Sequence, residues 1–288
     1  MTLVAVGDIM LARTIGQRVV STGPEVVFGD AIAPLLSDAD VAIGNLECAI
    51  SESGAPQPKG YTFRAPPATL DALQLAGFDV LSLANNHALD YGSGALEDTV
   101  AHLQGRGIQT VGAGENISAA QSAQFVQRNG LTIAFVGLVD VPAEGAGFSR
   151  QTWEAGPESW GVAWADRDTV VASVERARRS ADVVVAMLHF GAEYADSPSS
   201  SQQSLARAAI DAGAALVIGS HPHVLQEVEE YAGGLIAYSL GNFVFDGFDG
   251  PSNRSAILRV TLTASGVVGW ELLPVNIVEN GLPRLAES

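Results

Sequence analysis

The sequence predicts an α/β fold in which two facing mixed sheets are flanked by helices. Three observations predict it. Apolar runs of strand length alternate with helical patterns over most of the 288 residues. Five of those runs stop abruptly at side chains able to ligate a metal: at Asp8, at Asn45 and Glu47, at Asn85-Asn86-His87, at His189, and at His221-Pro222-His223. From Val224 onward the spacing changes to short alternating strands, an antiparallel β-rich end at about 224–276.

Taken in order, residues 2–6 read as a strand and a helix follows Asp8 to about residue 20. A helix at 30–36 precedes a strand at 40–47. Residues 51–67 form a loop rich in Gly, Pro and Ser that carries Lys59, Tyr61 and Arg64. A helix at 66–76 begins at a proline and stops at Gly77. The apolar run 80–84 is a buried strand, followed by a helix at 92–105 and a short strand at 108–111. Residues 124–128 and 131–138 flank Asn129-Gly130, a strong hairpin signal. The connection at about 139–165 is long and irregular and holds Trp153, Trp160 and Trp164; such a loop serves as a lid or pocket wall. A helix at 166–179 leads to the strand ending at His189. Another helix, 199–211, lies between Ser197-Pro198 and Gly213, before the strand 215–219. Strands at 225–229, 235–238, 255–263 and 267–275 complete the pattern, and the tail after Asn276 is polar and peripheral. No linker or repeat interrupts the chain, so residues 1–288 read as one domain.

Composition narrows the function. An apolar fraction of 47% supports a large core, and a formal charge of −17 argues against nucleic-acid binding, which needs clustered Lys and Arg. Lys59 is the single lysine. A negatively charged substrate therefore needs local compensation by metal ions or arginines. The lone Cys48 excludes an intramolecular disulfide and reads as a small buried filler. No apolar segment approaches the roughly 20 residues that cross a bilayer. The first strand begins at Thr2, leaving no room for a signal peptide. The two readings are a cytoplasmic chain, or an extracytoplasmic one whose export or anchor segment lies outside this sequence.

Four of the five histidines end apolar strands; His102 lies within a helix. In an extended His-Pro-His segment, His221 and His223 point the same way, and Pro222 favours that geometry. Asp8 is a ligand or a helix N-cap. Glu47 can bridge two cations, with the amide of Asn45 in support. Asn86 offers a carbonyl oxygen, and its neighbour His87 faces substrate as a general acid, oriented by Asp90. The competing account of Asn85-Asn86 is a pair of turn amides. Asp8, Glu47, Asn86, His189, His221 and His223 mix oxygen and imidazole without thiolate. That set suits two divalent ions of Mn, Fe, Zn or Mg that share a carboxylate.

Gly7-Asp8-Ile9-Met10, Gly44-Asn45-Leu46-Glu47, Asn85-Asn86-His87 with Asp90, His189 to Tyr194, Gly219 to His223 and Gly241 to Asp246 resemble, in order, the motifs of the CapA poly-γ-glutamate capsule synthesis family. That family is related to calcineurin-like metallophosphoesterases. The resemblance implies a four-layer αββα sandwich and a dinuclear centre. It also implies a phosphoesterase-like hydrolase or, alternatively, an accessory protein that binds polyglutamate within a synthesis or export complex. Two departures stand out: Met10 occupies the usual histidine position, and Asn45 replaces the usual bridging aspartate. Lys59, Tyr61 and Arg64 match a family loop whose cations suit a carboxylate or phosphate, with solvent-exposed loop charges as the competing account. Glu193 follows His189 closely enough to support it. Asn242 and Asp246 are pocket-wall or turn residues.

Overall fold

In a computed structural model, which describes residues 1–143, 149–278 and 281–286, the apolar runs pair into two principal mixed sheets. The eight-stranded sheet has the order Leu282–Leu285, Gly266–Val278, Arg254–Thr263, Thr2–Ile9, Val41–Leu46, Val80–Ser82, Gln109–Val111, with Asn242–Val244 added beside Thr2–Ile9. From Thr2–Ile9 to Gln109–Val111 the pairing is parallel. The six-stranded sheet has the order Val228–Tyr231, Gly234–Ala237, Leu216–Ser220, Val183–Phe190, Leu131–Asp140, Gln124–Arg128. Its central strands are also parallel.

Parallel strands are covered on both faces, which is why they are written as unbroken apolar runs. Val183–Phe190, for example, is buried throughout. Alternation sorts their side chains into three clusters. Leu3, Ile43 and Val80 of one sheet meet Phe135, Val185 and Ile218 of the other. On the opposite face of the first sheet, Val4 and Leu81 pack with the helical residues Ile15, Ile32, Leu73 and Leu96. On the outer face of the second, Val184 and Ala186 pack with Val174, Leu205 and Ala209.

Local signals end the elements as expected. Asp166 caps the helix Arg167–Ala177 by accepting from the Thr169 amide. Ser199 and Gln202 form a reciprocal capping box on Ser200–Asp211. Asn129 and Gly130 both have positive φ, 51° and 80°, so the hairpin turn matches the twist of its strands.

Three expectations change. The end of the chain is not wholly antiparallel: Gly234–Ala237 runs parallel to Leu216–Ser220, and Asn242–Val244 runs parallel to Thr2–Ile9. Each fills a position beside an otherwise unpaired edge. The tail contributes Leu282–Leu285 to the first sheet, and Leu282 is buried there. Within the irregular connection, a turn of helix, Arg150–Trp153, and a short strand, Gly161–Val162, pack on the body; residues 144–148 of that connection lie outside the described residues. Among the described residues no helix is long and apolar enough to cross a membrane.

The strands Thr2–Ile9 and Asn242–Val244 approach at Gly7, where an added Cβ would lie 1.8 Å from the Gly241 carbonyl oxygen. The neighbouring Asp8 amide donates to that same oxygen at 3.0 Å. Gly7→Ala should therefore cost about 3 kcal/mol in urea unfolding. A variant as stable as the parent would contradict this close approach.

Candidate metal centre

The carboxyl ends of parallel strands from both sheets converge at one place. Asp8 closes the first strand and sits in register with Asn45 on one side and Asn242 on the other. His189 is near the end of Val183–Phe190, opposite Ser220. Glu47, Asn86, His221 and His223 follow immediately after strands that end at Leu46, Ser82 and Ser220. All of these side chains are buried.

They fall into two groups. Asp8, Glu47 and His223 each offer one ligand atom, and those atoms lie within 4.8 Å of one another. The His223 Nε2 is 3.7 Å from Glu47 Oε1. Its Nδ1 lies 2.8 Å from the Asn242 side-chain carbonyl oxygen and 3.4 Å from Asp8 Oδ2, so the ring stands between the two carboxylates with Nε2 toward Glu47. The second group is Asn86, His189 and His221. His189 Nε2 lies 2.9 Å from Asn86 Oδ1, and the His189 and His221 rings are 4.9 Å apart. Among the described residues, the buried His221 Nδ1 has no hydrogen-bond partner.

Asn45 stands where the groups meet. Its Nδ2 donates to Asp8 Oδ1 at 2.8 Å and Glu47 Oε2 at 3.0 Å, and lies 3.3 Å from His189 Nδ1. Its own side-chain carbonyl oxygen accepts from Asn85 Nδ2 at 3.0 Å. Asn85 also donates to the Leu46 carbonyl at 2.8 Å and accepts the His87 amide at 3.0 Å. Both amides thus hold the strand ends together.

Burial, and then the neighbouring histidines, hold His189 and His221 well below the ordinary imidazole range, so both are neutral. Burial also pushes His223 down, but the hydrogen bond and charge of Asp8 outweigh it, and its pKa is raised. Cys48 lies beside Glu47 in sequence, yet its thiol is pushed up to about 12 by burial, and its sulfur accepts from the Leu11 amide. It offers no thiolate.

His87 faces a cavity of about 150 Å³ over the centre. Its Nδ1 lies 2.6 Å from Asp90 Oδ2. That carboxylate also accepts from the Phe63 amide at 2.7 Å and from Lys59 Nζ at 2.9 Å. Lys59 and Trp153 both donate to the Asn86 backbone carbonyl, at 2.6 and 3.0 Å. Through this Trp the irregular connection reaches the backbone of Asn86, but its described residues do not line the cavity.

Several expected roles move. The segment His221-Pro222-His223 is not extended: φ is 96° at His221 and 57° at His223. The strand ends at Ser220, and the turn is pinned by the His221 amide donating to Asp8 and the Tyr194 amide donating to the Pro222 carbonyl. The two imidazoles are consequently shared between the groups rather than aligned on one face. The side chain of Lys59 is fully buried against Asp90 and does not line the cavity. Arg64 donates to the carbonyls of Ser53 and Gly54 and stacks on Tyr91. Of that loop, Tyr61 lines the cavity, together with Glu193 and Asp246. Met10 is buried and its sulfur accepts from the Ala12 amide. Sequence reasoning passed over Arg13, Phe63, Phe245 and Phe248, which also line the cavity. The signal for Arg13 was its place at the start of the helix, shortly beyond Asp8.

The model of the family described as bacterial capsule synthesis protein PGA_cap matches residues 2–247. A capsule biosynthesis protein CapA of Bacillus anthracis is 35% identical over 296 residues, which span 100% of this chain and 70% of that protein. A PGA biosynthesis protein CapA of Bacillus subtilis is 35% identical over 277 residues, 95% of this chain and 71% of that one. Among solved structures, a hypothetical protein from Thermus thermophilus superposes with a TM-score of 0.56 at 16% identity, over 95% of this chain and 98% of that one, so the two share a fold. With its ordered motifs converging on one buried centre, the chain belongs to the bacterial capsule synthesis protein PGA_cap family.

Proposed function

We propose that the chain is a metal-dependent hydrolase of metallophosphoesterase type that cleaves a phosphate ester or a related anionic ester or amide. The observation that carries this reading is the partition of six buried donors into two sets of three around Asn45. Asp8, Glu47 and His223 suit one divalent cation; Asn86, His189 and His221 suit a second. The donors fit: two imidazoles are neutral, and oxygen ligands without thiolate favour Mn, Fe, Zn or Mg. We infer with it the four-layer αββα arrangement, supported by the apolar clusters between the sheets and on the outer face of each.

Cations held there would lower the pKa of a water into the neutral range and offset charge on a phosphoryl oxygen. The protein's own share is orientation and proton transfer. Asp90 holds His87 through Nδ1, which leaves Nε2 to protonate the leaving group. Lys59 balances Asp90, whose buried charge would otherwise be costly. Asn45 and Asn85 keep the strand ends in register.

The second reading is an accessory protein that binds polyglutamate through the same cations within a synthesis complex, with little or no turnover. Two observations favour it: the relatives are named for capsule and PGA biosynthesis, and Met10, its sulfur engaged by Ala12, adds no ligand.

Manganese-loaded protein should cleave bis(p-nitrophenyl) phosphate. His87→Ala should lower turnover about 100- to 1,000-fold with metal content unchanged. Turnover equal to the parent would remove the acid role. No turnover, together with polyglutamate binding that a chelator abolishes, would select the accessory reading.

The centre should also respond to acid in two stages. The raised pKa of His223 means that protons compete for it from neutral pH downward, whereas His189 and His221 stay neutral. Dialysis from about pH 8 to about pH 6 should release the cation at Asp8, Glu47 and His223 first. Loss of both ions together would contradict this ordering.

A further inference from the structure

The cavity over the centre is lined by one guanidinium, that of Arg13, set among Tyr61, Phe63, Tyr194, Phe245 and Phe248. Lys59 and Arg64, the cations of the neighbouring loop, are turned elsewhere by their own partners. Arg13 is half-exposed, and its guanidinium lies 4.8 Å from the Phe63 ring centre and 5.9 Å from that of Phe245. The same two rings touch the catalytic side: Phe63 is 4.2 Å from the His87 ring and Phe245 is 5.1 Å from that of His223. Arg13 thus stands one aromatic ring away from the centre, along the same cavity wall.

Its own contacts run through one nitrogen. Nη2 pairs with Asp246 Oδ1 at 2.6 Å and donates to the Asp246 carbonyl at 2.8 Å. Among the described residues Nη1 and Nε donate to no acceptor, so each keeps N–H groups for a ligand while Asp246 holds Nη2. Asp246 is itself anchored by the amide and hydroxyl of Thr14. The backbone of Arg13 has φ 52°, a left-handed conformation that is costly for a non-glycine residue and is retained where the surroundings impose it.

We propose that the pocket takes a ligand with two anionic groups: one at the metal centre and a second, a carboxylate or phosphate, on the uncommitted N–H groups of Arg13. The stem between them lies against Phe63 and Phe245. This rests on the proposed metal centre, and it names Arg13 as the residue that selects a doubly anionic substrate over a singly anionic one. In a chain of net charge −17, that discrimination has to be local.

The test is calorimetric titration of the manganese-loaded chain, without reference to turnover. The probe 3-phosphonopropionate should bind about tenfold more tightly than ethylphosphonate, which has the same stem but no carboxylate. Arg13→Gln should abolish that ratio, and Arg13→Lys, which keeps the charge but not the several N–H donors, should retain part of it; thermal melting confirms that both fold. Glutarate against butyrate repeats the comparison with a carboxylate at each end. An Arg13-dependent ratio in that pair assigns an acidic-peptide type of ligand; one confined to the phosphonates assigns a phosphate ester. No advantage for the second anion, or an advantage that survives Arg13→Gln, overturns the inference. Failure of the hydrolase reading would show separately, as absence of turnover.

Discussion

Two carboxylates, Asp8 and Glu47, lie fully buried and close together, and the molecule is arranged around making that tolerable. Like charges withdrawn from water repel each other and lose hydration, so each needs a donor or a cation. Asn45 supplies one donor to both. His223 approaches both from the other side. Since Asp8 lies on one parallel strand, Glu47 directly follows its neighbour and His223 follows a strand of the other sheet, the two sheets must meet at this point.

The second group extends the same logic to neutral donors. Asn86, His189 and His221 carry no charge, so burial costs them less than it costs the carboxylates. The turn that delivers His221 and His223 to different groups stores strain at two left-handed residues, each costing of order 1–3 kcal/mol. A hydrogen bond from the His221 amide to Asp8 ties that strain to the centre itself. Behind His87, Asp90, Lys59 and Trp153 fix its side chain from the interior, while aromatic rings shape the solvent side.

Much of this was legible in the chain. The apolar runs marked the parallel strands because burial on both faces leaves no polar positions, and their abrupt ends marked the site. Convergence of ends from two sheets is a property of topology that no single strand reveals; the ordered motifs supplied it. The sequence of His221-Pro222-His223 predicts extended geometry because proline biases its neighbour that way, whereas tertiary hydrogen bonds impose the opposite. Lys59 reads from the sequence as a loop cation for an anionic ligand or for solvent, since lysines are rarely buried; its partner Asp90 lies 31 residues away and gives no local signal. Arg13 went unnoticed for a similar reason, since its partner Asp246 is 233 residues distant. Asn242, a pocket-wall or turn residue by sequence, lies instead in the strand Asn242–Val244, whose partner Thr2–Ile9 is at the other end of the chain and gives no local signal.

The most direct measurement of the account is anomalous scattering at the manganese edge from crystals of the loaded protein. Two peaks about 3.5–4 Å apart are predicted, one against Asp8, Glu47 and His223 and the other against Asn86, His189 and His221. Manganese bound only at a place remote from Asp8 and Glu47, with those six side chains unliganded, would contradict it.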